Sequence, residues 1–380
     1  MKRATKFTHM GRPKAGLGTA VNPSVTRAST LLFERAEDLY RSDVRGYGRH
    51  GADVHDKLAE MFTELEGGAG SVLFPSGLAA CTYPILACVK AGDHVLLTDS
   101  AYEPTRKFCE GYLTKMGVET ELYDPRIGAN ITTLIRPNTA VILLESPGSL
   151  TLEIQDVPAI VDAAKAHNVI TIIDNTWSGG LVYQPLQMGV DISCHAATKY
   201  FGGHSDVMFG AAIARTKSLH SKISTTAKLF GNASSPDDAY QILRGFRTVM
   251  PRFTQQSETA LALATWLTDH PKVQTVLHPA LPSHPDHTLW QRDFCGSACL
   301  FSIVTKDMPS DDVLAFVNAL KLFGIGYSYG GFESLVIHCD PQLKRAHKTT
   351  LSGPLIRFAC GLEHADDLKD DIEQAFNAIS

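Results

Sequence analysis

The sequence predicts an α/β protein: a large domain built on a mostly parallel central sheet, followed by a smaller C-terminal α/β domain. Helical and strand patterns alternate from about Ala52 to Arg244, the order that wraps a parallel sheet with helices on both faces. Strand candidates there include unbroken apolar, β-branched runs such as Val169-Ile-Thr-Ile-Ile173, which suit a fully buried strand. After about Gly245 the order changes to a long helix and then shorter alternating elements. With 380 residues, 44% of them hydrophobic, the chain can bury one large core and a smaller one.

Residues 1–51 hold many Gly, Pro and Arg and no sustained apolar period, so they read as an extended arm. The large domain, residues 52–245, opens with a helix over Val54–Leu65, stopped by Gly67-Gly68. A second helix follows over Ser76–Val89, then a strand at Asp93–Thr98 and a helix over Glu103–Met116. Ala140–Leu144 is a strand and Asp156–His167 a helix, before the strand that Asp174 closes. Asp191–Ala197 and Met208–Ala214 are the last strands of this series. The C-terminal domain, residues 246–380, begins with a helix around Ser257–Thr268 and a Pro/His-rich loop from Pro279 to Pro285. Strands at Ala298–Val304, Ser334–Cys339 and Leu355–Cys360 then alternate with helices near Ser310–Leu322 and Ala365–Ala378.

Composition narrows the function. A net charge of −5 argues against nucleic-acid or anionic-membrane partners. No stretch approaches the ~18 uninterrupted apolar residues of a membrane span. The basic start, Met1-Lys-Arg-Ala-Thr-Lys6, is not followed by the apolar core of a secretory signal. Eight cysteines are scattered without C-x-x-C pairs and read as reduced thiols of a cytoplasmic protein. His278, His284 and His287 lie among Pro and Leu and read as a solvated loop; no metal site is expected.

The chemistry is carried by Asp174 and Lys199. A carboxylate closing a buried strand points into the crevice where open α/β sheets bind ligands. Lys199 comes just past the neighbouring strand candidate, Asp191–Ala197. An acid and an amine on adjacent strand ends can hold a pyridine ring between them, the acid keeping a ring nitrogen protonated and the amine forming an imine with an aldehyde. That pairing is what pyridoxal 5'-phosphate needs. Acid-then-lysine pairs also arise by chance, so other residues must decide. Phe74-Pro-Ser-Gly-Leu78 is a turn opening a helix, whose free N–H groups at Gly77 and Leu78 form an anion site, although Ser-Gly before a helix is also an everyday N-cap. Thr198 can add a hydroxyl. Tyr102, at a strand end in Asp99-Ser-Ala-Tyr-Glu-Pro104, can stack on a flat ring or be an ordinary half-buried loop tyrosine. Gly46-Tyr-Gly-Arg-His-Gly51 matches G-x-G-x-x-G, but no strand precedes it, so a nicotinamide site is rejected.

Together these segments resemble the cysteine/methionine-metabolism family of pyridoxal-phosphate enzymes, of the aspartate-aminotransferase fold type I. The resemblance runs through Gly46-Tyr-Gly-Arg49, Leu65-Glu-Gly-Gly-Ala69, Ala101-Tyr-Glu-Pro104, Glu145-Ser-Pro-Gly-Ser149, Asp174-Asn-Thr-Trp177, Ala197-Thr-Lys-Tyr200, Gly203-His-Ser-Asp206, Tyr327–Leu335 and Ile356–Glu363. Each motif is weak, but their shared order makes the set specific. The resemblance implies that Lys199 holds pyridoxal phosphate covalently as an imine, Asp174 contacts the ring nitrogen and Tyr102 stacks on the ring. Gly77, Leu78 and Thr198 would hold the phosphate, joined by Tyr47 and Arg49 from a neighbouring subunit. Arg357 would take the substrate α-carboxylate as a fork, with Ser328 beside it and Tyr47 and Tyr329 in the substrate site. Ala196 stands where many relatives have a serine, which removes one phosphate donor. The asparagine that relatives often aim at the ring hydroxyl is replaced within Glu145–Ser149.

The implied activity is carbon–sulfur bond cleavage by β-elimination, from L-cystathionine to homocysteine, pyruvate and ammonia, with other cysteine S-conjugates open. Lys199 or Tyr102 would move the protons, Tyr102 as a base if surrounding positive charge deprotonates its phenol. Relatives that act at Cγ usually carry small aliphatic residues at the positions of Tyr329 and Phe332; the aromatics here resemble the β-eliminating branch, which more often has Trp where this chain has Tyr329. The family pattern also implies a homotetramer built from active-site-sharing dimers. A non-enzymatic regulator on the same scaffold would have no reason to keep Lys199, Asp174, Tyr102 and Arg357 together.

Overall fold

The structure, a computed structural model, describes residues 1–306, 308–347 and 351–379. Its first sheet comprises β1 (Gly70–Phe74), β2 (His94–Thr98), β3 (Glu119–Tyr123), β4 (Thr139–Glu145), β5 (Ile170–Asp174), β6 (Ile192–His195) and β7 (Gly210–Ala214). The order is β1-β7-β6-β5-β4-β2-β3. Only β7 runs against its neighbours, β1 and β6; β2 to β6 pair in parallel. Alternation along β4 shows why these strands are apolar throughout. Ile142 and Leu144 join one core with Phe62, Phe201 and Phe246, while Val141 and Leu143 join the core on the other face with Ile85 and Ile172. A strand covered by helices on both sides has no polar face to offer.

The helices before and within this sheet are α1 (Arg3–His9), α2 (Asp53–Glu66), α3 (Gly77–Cys88), α4 (Glu103–Lys107), α5 (Val157–Ala166), α6 (Lys217–Leu229) and α7 (Pro236–Phe246). Val54, Leu58, Met61, Phe62 and Leu65 form the buried stripe of α2, at the spacing of one helical face. The helix ends at Gly67, whose φ of +69° is the left-handed cap conformation that glycine adopts at little cost. Then α8 (Val249–Leu267) leads to a second sheet of β8 (Val273–Leu277), β9 (Leu300–Thr305), β10 (Gly324–Ile325), β11 (Leu335–His338) and β12 (Leu355–Ala359), in the order β10-β11-β12-β9-β8. Helices α9 (His287–Asp293), α10 (Ser310–Ala319) and α11 (Ala365–Asn377) accompany it. Phe301, Phe316, Phe358 and Phe376 fill the core between these elements.

Several expectations are corrected. The arm is not wholly extended, because α1 lies within it and buries Phe7 against Phe246, ring centroids 5.1 Å apart. Strands β1, β3, β8 and β10 are not apparent from hydrophobic periodicity. β1 and β3 are the edges of the large sheet, and β3, Glu-Thr-Glu-Leu-Tyr, keeps only Tyr123 fully buried. Helix α8 begins at Val249, well before Ser257. The Pro/His loop is not solvated: His278 and His284 are 0% and 3% exposed. Each accepts a backbone N–H at its own Nδ1, from Ala280 and Asp286, and the loop is pinned by Asp286, which takes both arms of Arg126 at 2.8 Å.

Candidate active site

Three parallel strands deliver their last residues to one edge of the large sheet: Glu145 from β4, Asp174 from β5 and His195 from β6. The N-terminus of α3 faces the chain just past β6. A Cβ added to Gly77 would come within 2.4 Å of the Ala196 Cβ, so the first turn of α3 can lie this close only with glycine there. Above this edge opens a cavity of about 830 Å³, lined by Ser76, Gly77, Leu78, Tyr102, Glu145, Asp174, Thr198, Lys199, Ser328, Tyr329 and Arg357, among others. Residues from both sheets thus share one space, at the strand ends where open α/β sheets bind ligands.

Lys199 sits in a turn past β6 with ψ of −115°, outside helical geometry. Its amine donates to Ser328 Oγ at 2.9 Å and lies 4.9 Å from the centre of the Tyr329 ring. Burial, reinforced by the Arg357 charge, lowers its pKa to about 8, so a reactive free amine is available close to neutral pH. Ser328 itself has φ of +109°, a strained conformation for a residue with a Cβ. Its carbonyl accepts from Arg357 Nη2 at 3.4 Å. Arg357 is held on β12 opposite Ser302, and its Nε has no protein partner among the described residues. A buried, unspent guanidinium donor beside the lysine suits a carboxylate.

Asp174 is held in place by its own turn. Oδ1 accepts the Thr176 amide at 3.0 Å and the Thr176 hydroxyl at 2.6 Å, and Oδ2 has the Cys81 thiol at 3.5 Å. A thiol is a weak donor, so Oδ2 retains the capacity to accept a ring N–H. At the other end of the cavity, Ser76 caps α3 by accepting from the Ala79 amide at 3.2 Å. The Gly77 and Leu78 amides have no acceptor among the described residues. Free amides at a helix N-terminus fit a phosphate.

The remaining expected residues divide. Tyr102 lines the cavity, its amide donating to Glu145 Oε2 at 2.6 Å. Burial, then the charges of Asp174 and Glu145, push the pKa of its phenol up, the direction that keeps the hydroxyl protonated. Thr198 lines the cavity, but its hydroxyl donates to the Phe209 carbonyl at 3.1 Å and accepts the Phe209 amide at 2.9 Å, so its donor is spent within the fold. Tyr329 lines the wall as expected, whereas Phe332 is 54% exposed and outside the cavity. Tyr47 and Arg49 are not brought to the cavity; the Arg49 guanidinium lies 5.0 Å from the Tyr47 ring on the surface. The resemblance assigns Glu145, the last residue of β4, no role. Its carboxyl pKa is pushed well up by burial and by Asp174, its register partner across the β4–β5 pair.

The comparisons with known proteins agree with this geometry. The family model for Cys/Met metabolism PLP-dependent enzymes matches residues 4–377. A cystathionine β-lyase of Haemophilus influenzae is 44% identical over 99% of this chain and 98% of its own. The cystathionine β-lyase of Escherichia coli is 43% identical over 100% and 99%. Among solved structures, a cystathionine γ-synthase from Xanthomonas oryzae superposes with a TM-score of 0.92 at 30% identity, covering 100% of this chain and 98% of its own.

Proposed function

The chain belongs to the Cys/Met metabolism PLP-dependent enzyme family, and from that premise we propose that it is a carbon–sulfur lyase converting L-cystathionine to homocysteine, pyruvate and ammonia. The observation that carries the reading is the arrangement around Lys199: a lowered amine pKa, Ser328 at 2.9 Å and Arg357 facing the same cavity as Asp174. The β-lyases of Haemophilus influenzae and Escherichia coli stand at 44% and 43% identity, against 30% for the γ-synthase of similar fold, which supports elimination at Cβ.

Pyridoxal phosphate is the cofactor, and when bound it accepts the electron pair left on Cα. The residues fit it: Lys199 would bind its aldehyde carbon, Asp174 Oδ2 its ring N–H, the Gly77 and Leu78 amides its phosphate, and Tyr102 its ring face. Arg357 grips the substrate α-carboxylate, which fixes the Cα–H bond toward Lys199. The Lys199 amine removes that proton, becoming an ammonium, and Ser328 holds the amine in place by accepting one of its hydrogens. The Cβ–S bond then breaks, the thiolate leaves with the electron pair, and the Lys199 ammonium returns the proton to sulfur. Tyr102, kept protonated, is a hydrogen-bond donor beside the leaving group. Water completes the conversion of the remaining three-carbon unit to pyruvate and ammonia.

The arm, residues 1–51, serves a neighbouring subunit in this reading, with Tyr47 and Arg49 completing its phosphate and substrate sites in a dimer, two of which pair as a tetramer. That neither residue lines the cavity of its own chain supports this. The large unit is residues 52–245 and the C-terminal unit residues 246–380, and cytoplasmic location is part of the same proposal. Among the described residues no helix is long and apolar enough to cross a membrane. The test is pyruvate release from L-cystathionine by the cofactor-loaded protein, with the Lys199→Ala protein as blank. Release above the blank is expected; none above it would reject the function.

A further inference from the structure

Glu66 is the last residue of α2 and is wholly buried outside the cavity, yet side chains from two catalytic strands converge on one of its oxygens. Oε1 accepts Asn175 Nδ2 at 2.7 Å, Ser193 Oγ at 2.9 Å and His195 Nε2 at 2.6 Å. All four residues are 0% exposed. Asn175 directly follows Asp174, and the chain runs from His195 through Ala196-Ala197-Thr198 to Lys199. The Asn175 amide is fixed further by the Tyr183 carbonyl at 3.3 Å and the Ser178 hydroxyl at 2.5 Å. Arg3 of α1 closes the surround, donating to the carbonyls of Leu65 at 3.0 Å, Leu181 at 2.6 Å and Gly180. Gly180, at φ +62°, is needed there, since a Cβ would come within 2.9 Å of Glu66 Oε1.

We propose that Glu66 is a positioning residue: by sharing one oxygen between the ends of β5 and β6, it fixes the separation of Asp174 from Lys199, with His195 as the donor from the lysine-bearing strand. This rests on the reading of Asp174 and Lys199 as the pair that holds the cofactor. A single acceptor common to both strands resists their relative slip, because movement of either strand lengthens its bond to Oε1. Reacting groups tolerate little such slip; a shift near 1 Å costs about a hundredfold in rate.

The network would stabilise the fold even if it positioned nothing, so the test needs readouts that stability alone does not move. Wild-type, His195→Leu, His195→Gln and Ser193→Ala proteins are loaded with pyridoxal phosphate. Melting temperature, visible circular dichroism of the bound cofactor, kcat and KM are then measured. His195→Leu is expected to change the visible dichroism and lower kcat by about ten- to a hundredfold with little change in KM. His195→Gln, which keeps an N–H donor, recovers most of the loss. Ser193→Ala, the milder deletion because Asn175 and His195 still hold Oε1, moves dichroism and kcat the same way by about tenfold, the scale of one hydrogen bond to a charged group, and decides the matter if His195→Leu does not fold. Variants with lowered melting temperature but wild-type dichroism and kcat would overturn the proposal. A wild-type protein that takes up no visible chromophore would instead reject the reading of the site.

Discussion

Lys199 Nζ lies 2.9 Å from Ser328 Oγ, and Ser328 holds that position at φ +109°. Lys199 lies in the turn after β6 and Ser328 in the segment between β10 and β11, so their contact joins the strand ends of the first sheet to a connection of the second. Backbone strain of this kind persists only where the surroundings enforce it. Replacing Ser328 by alanine removes the acceptor but keeps the strained backbone, and kcat should fall by roughly tenfold, the scale of one hydrogen bond to a charged group. Steady-state kinetics of Ser328→Ala check this; an unchanged kcat would show that the contact does not orient the amine.

Lys199→Ala should abolish turnover while the protein still binds pyridoxal phosphate non-covalently through Asp174 and the α3 amides. Loss of a positioned acid/base costs about 10²–10⁴-fold, and loss of the covalent link should deepen it. In the cofactor-free protein the amine, with its pKa near 8, should react with small acylating reagents at lower pH than surface lysines. Peptide mapping after modification across pH 7 to 10 checks the order of reaction. Acylation of Lys199 only alongside exposed lysines would contradict it.

Much of this site was legible in the chain. Asp174 and Lys199 were readable because a buried strand must end somewhere and its end faces the ligand edge, and Gly77 because a helix start with glycine exposes amides. What stayed illegible depends on contacts between distant segments. The Thr198 hydroxyl is taken by Phe209, and the rise in the Tyr102 pKa comes from burial with Asp174 and Glu145. None of these three partners is adjacent in sequence to the residue it changes. Edge strand β3 shows no apolar run because its outward positions carry polar residues, and the proline-rich composition around His278 says nothing of what covers a loop.

Tyr102→Phe keeps the ring and removes the hydroxyl. With the phenol held protonated, it should lower kcat by about tenfold, the scale of one charge-assisted hydrogen bond, and leave cofactor affinity nearly unchanged. A loss as deep as that of Lys199→Ala would move the base to Tyr102.

Arg357→Ala should lower kcat/KM for amino-acid substrates by about a hundredfold or more, given the worth of each charge-assisted bond. Arg357→Lys should recover only part, because one ammonium cannot reproduce the fork. A value within tenfold of wild type for Arg357→Ala would place the carboxylate elsewhere.

Burial lowers the pKa of His278 to about 3 and of His284 to about 4, below the ordinary histidine value of about 6.5. A group whose pKa is lower folded than unfolded resists protonation in the fold, so its stabilising effect is complete above about pH 6.5 and is lost as pH falls toward 4. Thermal melts between pH 7 and 4 should show this loss, and His278→Asn, which cannot take the proton, should shrink it. A variant with the wild-type acid slope would exclude the loop as the cause.

The most direct test is the identity of both fragments released when the cofactor-loaded protein consumes L-cystathionine, measured by mass spectrometry. Cleavage at Cβ predicts homocysteine and pyruvate in equal amounts. Cysteine with 2-oxobutyrate would show cleavage at Cγ and contradict the proposed reaction.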